Sequence, residues 1–161
     1  TLIIDDNSSC KFLKERDAWV LKTGLRVTQK KITFEKDYWK ITAAHDGYLK
    51  NYKSIHERNI EFYPEKMIFV GNDKIIKKKT KNNYKFEIRF HLEPNIKLMK
   101  TQDKKSILIE LDEEGWKFTC DNYDINIDDG LYFGNKNLYV ENQNIFVSGI
   151  SNKNEENIKG K

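Results

Sequence analysis

The chain contains only two cysteines and two prolines among its 161 residues. The two cysteines, Cys10 and Cys120, are far apart in sequence, so they indicate neither a disulfide framework nor a paired-cysteine metal motif. The sequence also lacks a glycine-rich phosphate loop and a Gly-x-Ser-x-Gly nucleophile elbow. Common nucleotide chemistry is therefore disfavoured.

Long apolar runs are absent as well. No stretch approaches the roughly 20 apolar residues of a membrane helix, and no basic segment followed by an apolar one marks a signal peptide. The charges nearly cancel, because 29 lysines and arginines face 25 aspartates and glutamates, for a net charge of +4. A nucleic-acid footprint would need a basic face, so we expect neither a nucleic-acid partner nor a membrane span.

Short segments rich in β-branched and aromatic residues run through the sequence, often in alternation with polar residues. They are residues 31–44, 55–63, 67–70, 84–92, 96–99, 106–111 and 116–120. Turn formers separate them at Gly71-Asn72-Asp73, Glu113-Glu114-Gly115 and Gly134-Asn135. The pattern predicts one all-β domain over residues 1–161, an antiparallel sandwich or barrel. Residues 10–24 fit either a helix or a hairpin around Thr23-Gly24.

Three polar segments are interpreted separately. We expect residues 151–161 to form a polar tail, in which a mobile turn precedes a short final strand at Ile158. The acidic segment 121–130 lacks the pattern of a calcium-binding loop and predicts an exposed strand face with a turn. The run Lys77-Lys78-Lys79-Thr80-Lys81-Asn82-Asn83 is either a solvated loop or an electropositive lip that attracts an acidic polymer.

Residues 84–92 alternate strictly between apolar and polar, as expected of a half-buried strand. Arg89 and His91 lie on its polar face, about 7 Å apart by strand geometry. His56 and Arg58 alternate in the same way on an earlier segment. All four residues are candidates for contact with an acidic substrate. Pairing of the arginines with a carboxylate such as Glu57 or Glu87 is the structural alternative.

His45 and Tyr48 follow the apolar segment that ends at Ala44, where loops commonly carry functional sites. They could serve as base and acid in β-elimination, which takes the proton from carbon 5 of a uronate and expels the glycosidic oxygen from carbon 4. Arg58, Arg89 or a lysine would then neutralise the substrate carboxylate. Alternatively, Asp46-Gly47 forms a turn and His45 hydrogen-bonds the loop. A metal site would require His45, His56 and His91 to converge, which spacing alone does not show.

Four short motifs in a fixed order, with the opening Thr1-Leu2-Ile3-Ile4-Asp5-Asp6, resemble the C-terminal β-sandwich half of the heparinase II/III-like polysaccharide lyase family. The motifs are His45-Asp46-Gly47-Tyr48, His56-Glu57-Arg58, Arg89-Phe90-His91-Leu92-Glu93-Pro94 and Gly115-Trp116-Lys117-Phe118. The resemblance extends from residue 1 to about residue 149. It implies an antiparallel, distorted, supersandwich-like β-sandwich that follows a helical toroid in a bacterial lyase of acidic polysaccharides such as glycosaminoglycans.

On this resemblance, the family's principal catalytic and zinc-binding positions fall upstream of residue 1. We therefore expect a C-terminal fragment that lacks turnover and binds no cofactor, with a structural zinc belonging to the parent family. His45 and Tyr48 stay secondary catalytic candidates, and the residues expected to bind substrate or support the cleft rim are His56, Arg58, Arg89 and His91.

The partners implied are an acidic polysaccharide and the upstream toroid. The compartment stays open between the periplasm and the cytoplasm of a bacterium. Two alternatives belong to other classes: a carbohydrate-binding or scaffolding sandwich without chemistry, and a nucleic-acid-binding β-domain suggested only by the lysine runs.

Overall fold

A computed structural model describes residues 1–15, 18–79, 82–135 and 138–161. Strands dominate these residues, joined by short turns. The elements, in chain order, are β1 (Leu2–Ile4), β2 (Asn7–Ser8), β3 (Lys11–Glu15), β4 (Ala18–Thr23), β5 (Val27–Phe34), β6 (Trp39–His45), α1 (Leu49–Tyr52), β7 (Ser54–Tyr63), a 3₁₀ turn (Pro64–Lys66), β8 (Ile68–Lys77), β9 (Tyr84–His91), β10 (Lys97–Lys100), β11 (Ser106–Glu110), β12 (Gly115–Thr119), β13 (Asp124–Asn135), β14 (Leu138–Ser151) and β15 (Glu155–Gly160).

Two five-stranded sheets form the main layers of the described residues. Sheet A has the strand order β13-β14-β9-β1-β2, and sheet B has the order β15-β8-β7-β6-β5. A three-stranded sheet C, with the order β10-β11-β12, and the hairpin β3-β4 complete the arrangement. Neighbouring strands pair antiparallel within each sheet. The prediction of an all-β, antiparallel, distorted sandwich is confirmed.

The main core lies between sheets A and B, and the strictly alternating strand β9 is at its centre. Tyr84, Phe86 and Ile88 of β9 are buried there, as their period of two predicted. They pack with apolar residues of both sheets: Leu2, Ile4, Ile75, Val147 and Ile158. A second, smaller core joins sheets A and C through Ile107, Ile125 and Ile145. Together the two cores hold the three sheets in one domain.

The turn predicted at Gly71-Asn72-Asp73 is wrong, because these residues lie within β8 and pair with β7 on one side and β15 on the other. Strand pairing on both edges overrides the local turn preference of Asn and Asp. The predicted segment 31–44 is divided between β5 and β6, with a turn closed by the bond from the Glu35 N–H to the Tyr38 carbonyl (2.9 Å).

Residues 10–24 contain the hairpin β3-β4, so the helical alternative is wrong. β3 ends at residue 15 and β4 begins at residue 18, so the two strands are not joined at Thr23-Gly24. Residues 16 and 17 lie outside the described ranges. The predicted hairpin near Gly134-Asn135 is present as β13-β14. Its connecting residues 136 and 137 also lie outside the described ranges.

Residues 151–161 contribute a full strand to sheet B, in contrast to the expected polar tail. The strand predicted at Ile158 extends over β15 and pairs with β8, and Ile158 itself is buried. Backbone hydrogen bonds between Thr119 and Lys161 then attach the end of the chain to sheet C. Within the described residues, no helix is long and apolar enough to cross a membrane.

Lys77 opens the lysine run, but its side chain lies in the interior and is only 8% exposed. Its ammonium group donates to the backbone carbonyls of Asn82 (2.7 Å) and Ser151 (2.8 Å) and lies 5.1 Å from the ring centroid of Tyr84. Burial lowers the pKa of this ammonium group. Lys77 therefore connects the end of β8 to β14, while Lys78 and Lys79 are exposed and residues 80 and 81 lie outside the described ranges.

We predict that Lys77→Met lowers the free energy of unfolding by about 1–3 kcal/mol, because it removes the donor to the buried carbonyl of Ser151. Lys78→Met is the matched control, since Lys78 is exposed and the same substitution there should change stability little. Urea denaturation of the three proteins measures both effects. An equal loss of unfolding free energy in the two variants would show that the hydrogen bonds of Lys77 do not account for the destabilisation.

Candidate functional site

Four of the polar residues on the inner face of sheet B meet in one cluster, formed by His45, His56, Arg58 and Asp73. His45 ends β6 directly opposite His56 on β7, and Arg58 of β7 lies directly opposite Asp73 of β8. Side chains at opposed positions of antiparallel strands are close neighbours. The registers of three consecutive strands therefore bring residues from positions 45 to 73 into contact. We call this group the histidine–aspartate cluster.

Hydrogen bonds in this cluster run in one direction. The Gly47 backbone N–H donates to His45 Nδ1 (3.3 Å), which leaves Nε2 as the protonated nitrogen of that ring. His45 Nε2–H then donates to His56 Nδ1 (3.0 Å), and His56 Nε2–H donates to Asp73 Oδ1 (2.5 Å). Because each ring accepts at Nδ1, the series sets the Nε2–H tautomer in both histidines.

Arg58 donates two hydrogen bonds to the same carboxylate. Its Nε donates to Asp73 Oδ1 (2.8 Å) and its Nη2 to Asp73 Oδ2 (3.1 Å). Burial raises the pKa of Asp73, but the hydrogen bonds from His56 and Arg58 outweigh burial and hold the pKa below its ordinary value. The guanidinium carbon also lies 5.5 Å from the ring centroid of Phe90 in sheet A. Arg58 thus connects an ionised carboxylate of sheet B to the opposite sheet.

His45 is a weak base in this setting. Burial, followed by the electrostatic effect of the neighbouring His56 ring, lowers the pKa of His45 to about 4. A general base works best when its pKa lies near the operating pH, so a neutral imidazole of this kind is poorly matched to proton abstraction at neutral pH. The geometry of His45 favours the role of a hydrogen-bonding link between the loop at Gly47 and His56.

Tyr48 lies beside His45, with ring centroids 5.9 Å apart, as the pairing of these two candidates requires. Its side chain, however, is only 1% exposed, and its hydroxyl group donates to the backbone carbonyl of Leu2. Burial raises the pKa of Tyr48 to about 12. The catalytic role of the pair stays a prediction, and the buried, occupied hydroxyl group does not favour it.

Arg89 and His91 lie on the opposite face of sheet A and do not join the cluster. Arg89 bonds Glu87 (2.9 Å), as the structural alternative predicted, and also Asp128 (2.7 Å), which the sequence did not indicate. His91 is exposed and its Nδ1 lies 3.1 Å from Asn144 Oδ1. The three histidines therefore do not converge.

A metal ion could be held only by ligands that point to one centre. In the histidine–aspartate cluster the ring nitrogens and the carboxylate are bonded in series, so each electron pair accepts a hydrogen bond from its neighbour and they do not point to one centre. Across the described ranges, no group of three or more His, Cys, Asp or Glu side chains is placed to hold a metal ion. These residues do not fit a structural zinc, and a zinc of the parent family would need other ligands.

Asp73 is the site residue that the sequence analysis missed, because Gly71-Asn72-Asp73 was assigned to a turn. The indication that could have found it is the period of two in Asp73, Ile75 and Lys77, which are all buried. This alternation continues the strand beyond Val70. It places a carboxylate on the same inner face as His56 and Arg58.

Comparison with known proteins gives one family match and several structural matches. The family model described as "Heparinase II/III-like, C-terminal" matches residues 1–159. The solved structure of heparan sulfate lyase HepC from Pedobacter heparinus is similar with a TM-score of 0.74 at 14% identity, over 99% of this chain and 23% of that chain. A heparinase III-BT4657 gene product matches with a TM-score of 0.70 at 11% identity, over 99% of this chain and 23% of that one. No curated protein sequence matches.

These structural matches show the fold, at identities too low to carry function. The chain spans 23% of the length of the solved lyases named above. The family match, in contrast, extends over nearly every residue of the chain.

We predict that Asp73→Asn lowers the free energy of unfolding by about 3 kcal/mol or more, because it removes the charge that Arg58 pairs with in a largely buried position. Asp128→Asn is the matched control. It breaks the ion pair of Arg89 with a carboxylate that is 45% exposed, and should cost less than about 1 kcal/mol. Urea denaturation measures the free energy of unfolding of both variants. An equal loss in the two would contradict the claim that the buried Asp73 carboxylate stabilises the fold more than an exposed one.

We also predict that part of the acid sensitivity of the fold comes from His45. Its pKa in the folded state, about 4, lies below the ordinary value of 6.5 that an unfolded chain regains. Its contribution is therefore complete above the unfolded pKa and is lost as the pH falls toward the folded pKa, because only the unfolded state takes up the proton in between. Between about pH 7 and about pH 4.5, the free energy of unfolding should fall less in the His45→Gln variant than in the unsubstituted chain.

The measurement is the free energy of unfolding by urea at both pH values. His91→Gln, at the exposed histidine, is the control, and its free energy of unfolding should depend on pH as that of the unsubstituted chain does. A pH dependence that is the same in His45→Gln as in the parent sequence would refute this role of His45.

Proposed function

This chain belongs to the heparinase II/III-like C-terminal family, and we propose that it acts as the β-sandwich module of a polysaccharide lyase. The parent enzyme would cleave uronate-containing glycans by β-elimination, with its main catalytic residues upstream of this module. The observation that carries the proposal is the family match over residues 1–159. The names of the similar structures, a heparan sulfate lyase and a heparinase III gene product, agree with it.

The site geometry supports a catalytic centre elsewhere. An arginine that binds a substrate carboxylate needs free donors, but Arg58 is held by Asp73 and Arg89 is held by Glu87 and Asp128. His56 is only 5% exposed and bonded at both ring nitrogens. β-Elimination also needs a base matched to the working pH, and His45 is not one.

We assign supporting roles to most of the candidates named from the sequence. His56 and Arg58 stabilise the inner face of sheet B around Asp73, His45 connects that face to the loop at Gly47, and Tyr48 anchors the loop to β1. Substrate contact within this chain is assigned to the exposed His91 on the outer face of sheet A, because the neighbouring Arg89 is held by two carboxylates.

The partner within the parent chain would be the upstream helical toroid. Four apolar residues form an exposed flank on the inner face of sheet B: Ile32 (48% exposed), Phe34 (79%), Ile41 (36%) and Phe69 (44%). Trp39 and Phe62 extend this apolar flank through ring contacts with Phe69. An exposed apolar surface of this kind commonly marks an interface. We propose that the toroid covers it, consistent with the small share of the solved lyases that this module spans.

An ultraviolet assay for unsaturated uronate products tests the proposal. It compares this chain with a version extended upstream, on heparan sulfate, chondroitin, hyaluronan and alginate. We expect activity only in the extended version, because His45 is poorly suited as a base and Arg58, on the same inner face, is held by Asp73. The extended version with His45→Gln should keep turnover, since His45 takes no proton in this account.

Activity in the short chain would contradict the upstream placement of the catalytic residues. If neither version forms unsaturated products from any of the glycans, the result would count against the lyase proposal and favour a binding or scaffolding sandwich.

A further inference from the structure

The outer face of sheet B, which points away from the core, carries polar residues on all five of its strands. Strand registers align one residue from each strand in a row: Lys31, Thr42, Asn59, Asn72 and Lys159. These positions alternate along the strands with those of the histidine–aspartate cluster, so their side chains lie on the opposite face. At about 4.8 Å between strands, the row spans about 19 Å. We call it the transverse row.

A groove of about 470 Å³ lies along the transverse row, and its walls are mostly polar. Every residue of the row except Lys31 lines it. The Thr42 hydroxyl group donates to Asn59 Oδ1 (2.6 Å), and Asn59 Nδ2 donates to Glu57 Oε1 (3.0 Å). The centre of the groove therefore holds ordered amide and hydroxyl groups, which suit a ligand rich in hydroxyl groups better than an apolar one.

Asn72 is the residue of the row whose side chain has no partner. Its Oδ1 is buried and accepts no hydrogen bond from the described residues. Buried polar atoms are nearly always hydrogen-bonded, so an unpaired amide oxygen requires an explanation. The Asn72 side chain as a whole is half-buried and lines the groove between Asn59 and Lys159. A hydroxyl group of a ligand in the groove would supply the missing donor.

The charges around the groove leave a positive excess at both ends of the row. Lys31 and Lys159 are exposed, and neither forms an ion pair within the described part of the chain. The two carboxylates that line the groove are already paired with other lysines of the same face: Glu57 with Lys74 (3.7 Å) and Glu61 with Lys40 (2.8 Å). The face therefore complements a ligand that carries negative charges separated by neutral polar groups.

An aromatic pair adjoins the row on the side of Glu61. The Tyr63 hydroxyl group donates to Glu61 Oε2 (2.8 Å), which holds the Tyr63 ring beside the groove. Tyr38 stacks on this ring, with the centroids 5.4 Å apart. Tyrosine combines an apolar ring face with a polar tip, a combination that suits the apolar and hydroxyl-bearing sides of a sugar ring.

We propose that the transverse row and its groove bind a linear acidic glycan. The amides of Asn59 and Asn72 bond its hydroxyl groups, and Lys31 and Lys159 bind its carboxylate or sulfate groups. The occupant is chosen by charge complementarity, since the row has unpaired cations at its ends and neutral polar groups between them. This inference deepens the proposed function by giving the module a glycan-binding face. It rests on the proposed function only for the choice of a glycan over another polyanion.

Calorimetric titration of this chain with four probes tests the proposal. The probes are a heparan sulfate hexasaccharide, an alginate hexasaccharide, neutral cellohexaose and a six-nucleotide oligothymidylate. The first variant combines Lys31→Gln with Lys159→Gln. Its matched control combines Lys85→Gln with Lys105→Gln, which removes two exposed lysines elsewhere and changes the net charge equally. Asn72→Ala tests the centre of the row without a change in charge. Urea denaturation checks that all variants are folded.

We expect at least one acidic hexasaccharide to bind, and to bind more tightly than cellohexaose and oligothymidylate. The Lys31 and Lys159 double variant should weaken that binding by about fivefold or more, because two exposed charge contacts are lost. The control double variant should weaken it by less than about twofold. Asn72→Ala should weaken it by about threefold or more, through the loss of a hydrogen bond to a sugar hydroxyl group. In nuclear magnetic resonance titrations, the backbone amide signals of Asn59 and Asn72 should shift.

Failure of both acidic hexasaccharides to bind would overturn the proposal. So would equal weakening in the two double variants, equally tight binding of oligothymidylate, or unchanged binding by Asn72→Ala, because each would show attraction by net charge alone. The titrations do not measure turnover. Their failure would therefore leave the lyase proposal standing, and an inactive parent enzyme would leave the glycan-binding face standing.

Discussion

The buried carboxylate of Asp73 is the interaction on which the inner face of sheet B depends. A charge at 4% exposure is costly unless it is paired and fully hydrogen-bonded. Arg58 and His56 supply the bonds, and both come from the neighbouring strand β7. Because the carboxylate needs both partners, it also determines how they are oriented. The bidentate arginine lies over Phe90, and the histidine turns its other nitrogen toward His45.

That arrangement decides which residues are available for function. Most polar residues of the family-like motifs bond one another. In this account the module therefore contributes structural support and few free reactive groups. His45, Tyr48 and Arg58 are each engaged in contacts within the module. The apolar flank of sheet B is the exposed surface that we propose the upstream domain covers.

Much of the fold could be predicted from the sequence, because β-strands with one buried face carry a period of two. Strand β9 and the hairpin strands β11 and β12 follow from that pattern and from the turn at Glu113-Glu114-Gly115. Asp73 was misplaced because local turn preference was given more weight than the alternation that continues to Lys77. The final strand predicted at Ile158 is longer than expected for a related reason, since pairing with β8 stabilises a strand of low hydrophobicity. The ion-pair partners could not be assigned, because they depend on the register between strands.

The central claim is that His45, His56 and Asp73 form a one-directional chain of hydrogen bonds ending at an ionised carboxylate. Long-range ¹⁵N–¹H nuclear magnetic resonance spectra of the imidazole rings at neutral pH test it most directly. The account predicts the Nε2–H tautomer in both rings, each with an unprotonated Nδ1. A charged His45 ring, or a proton on Nδ1 of either His45 or His56, would contradict it.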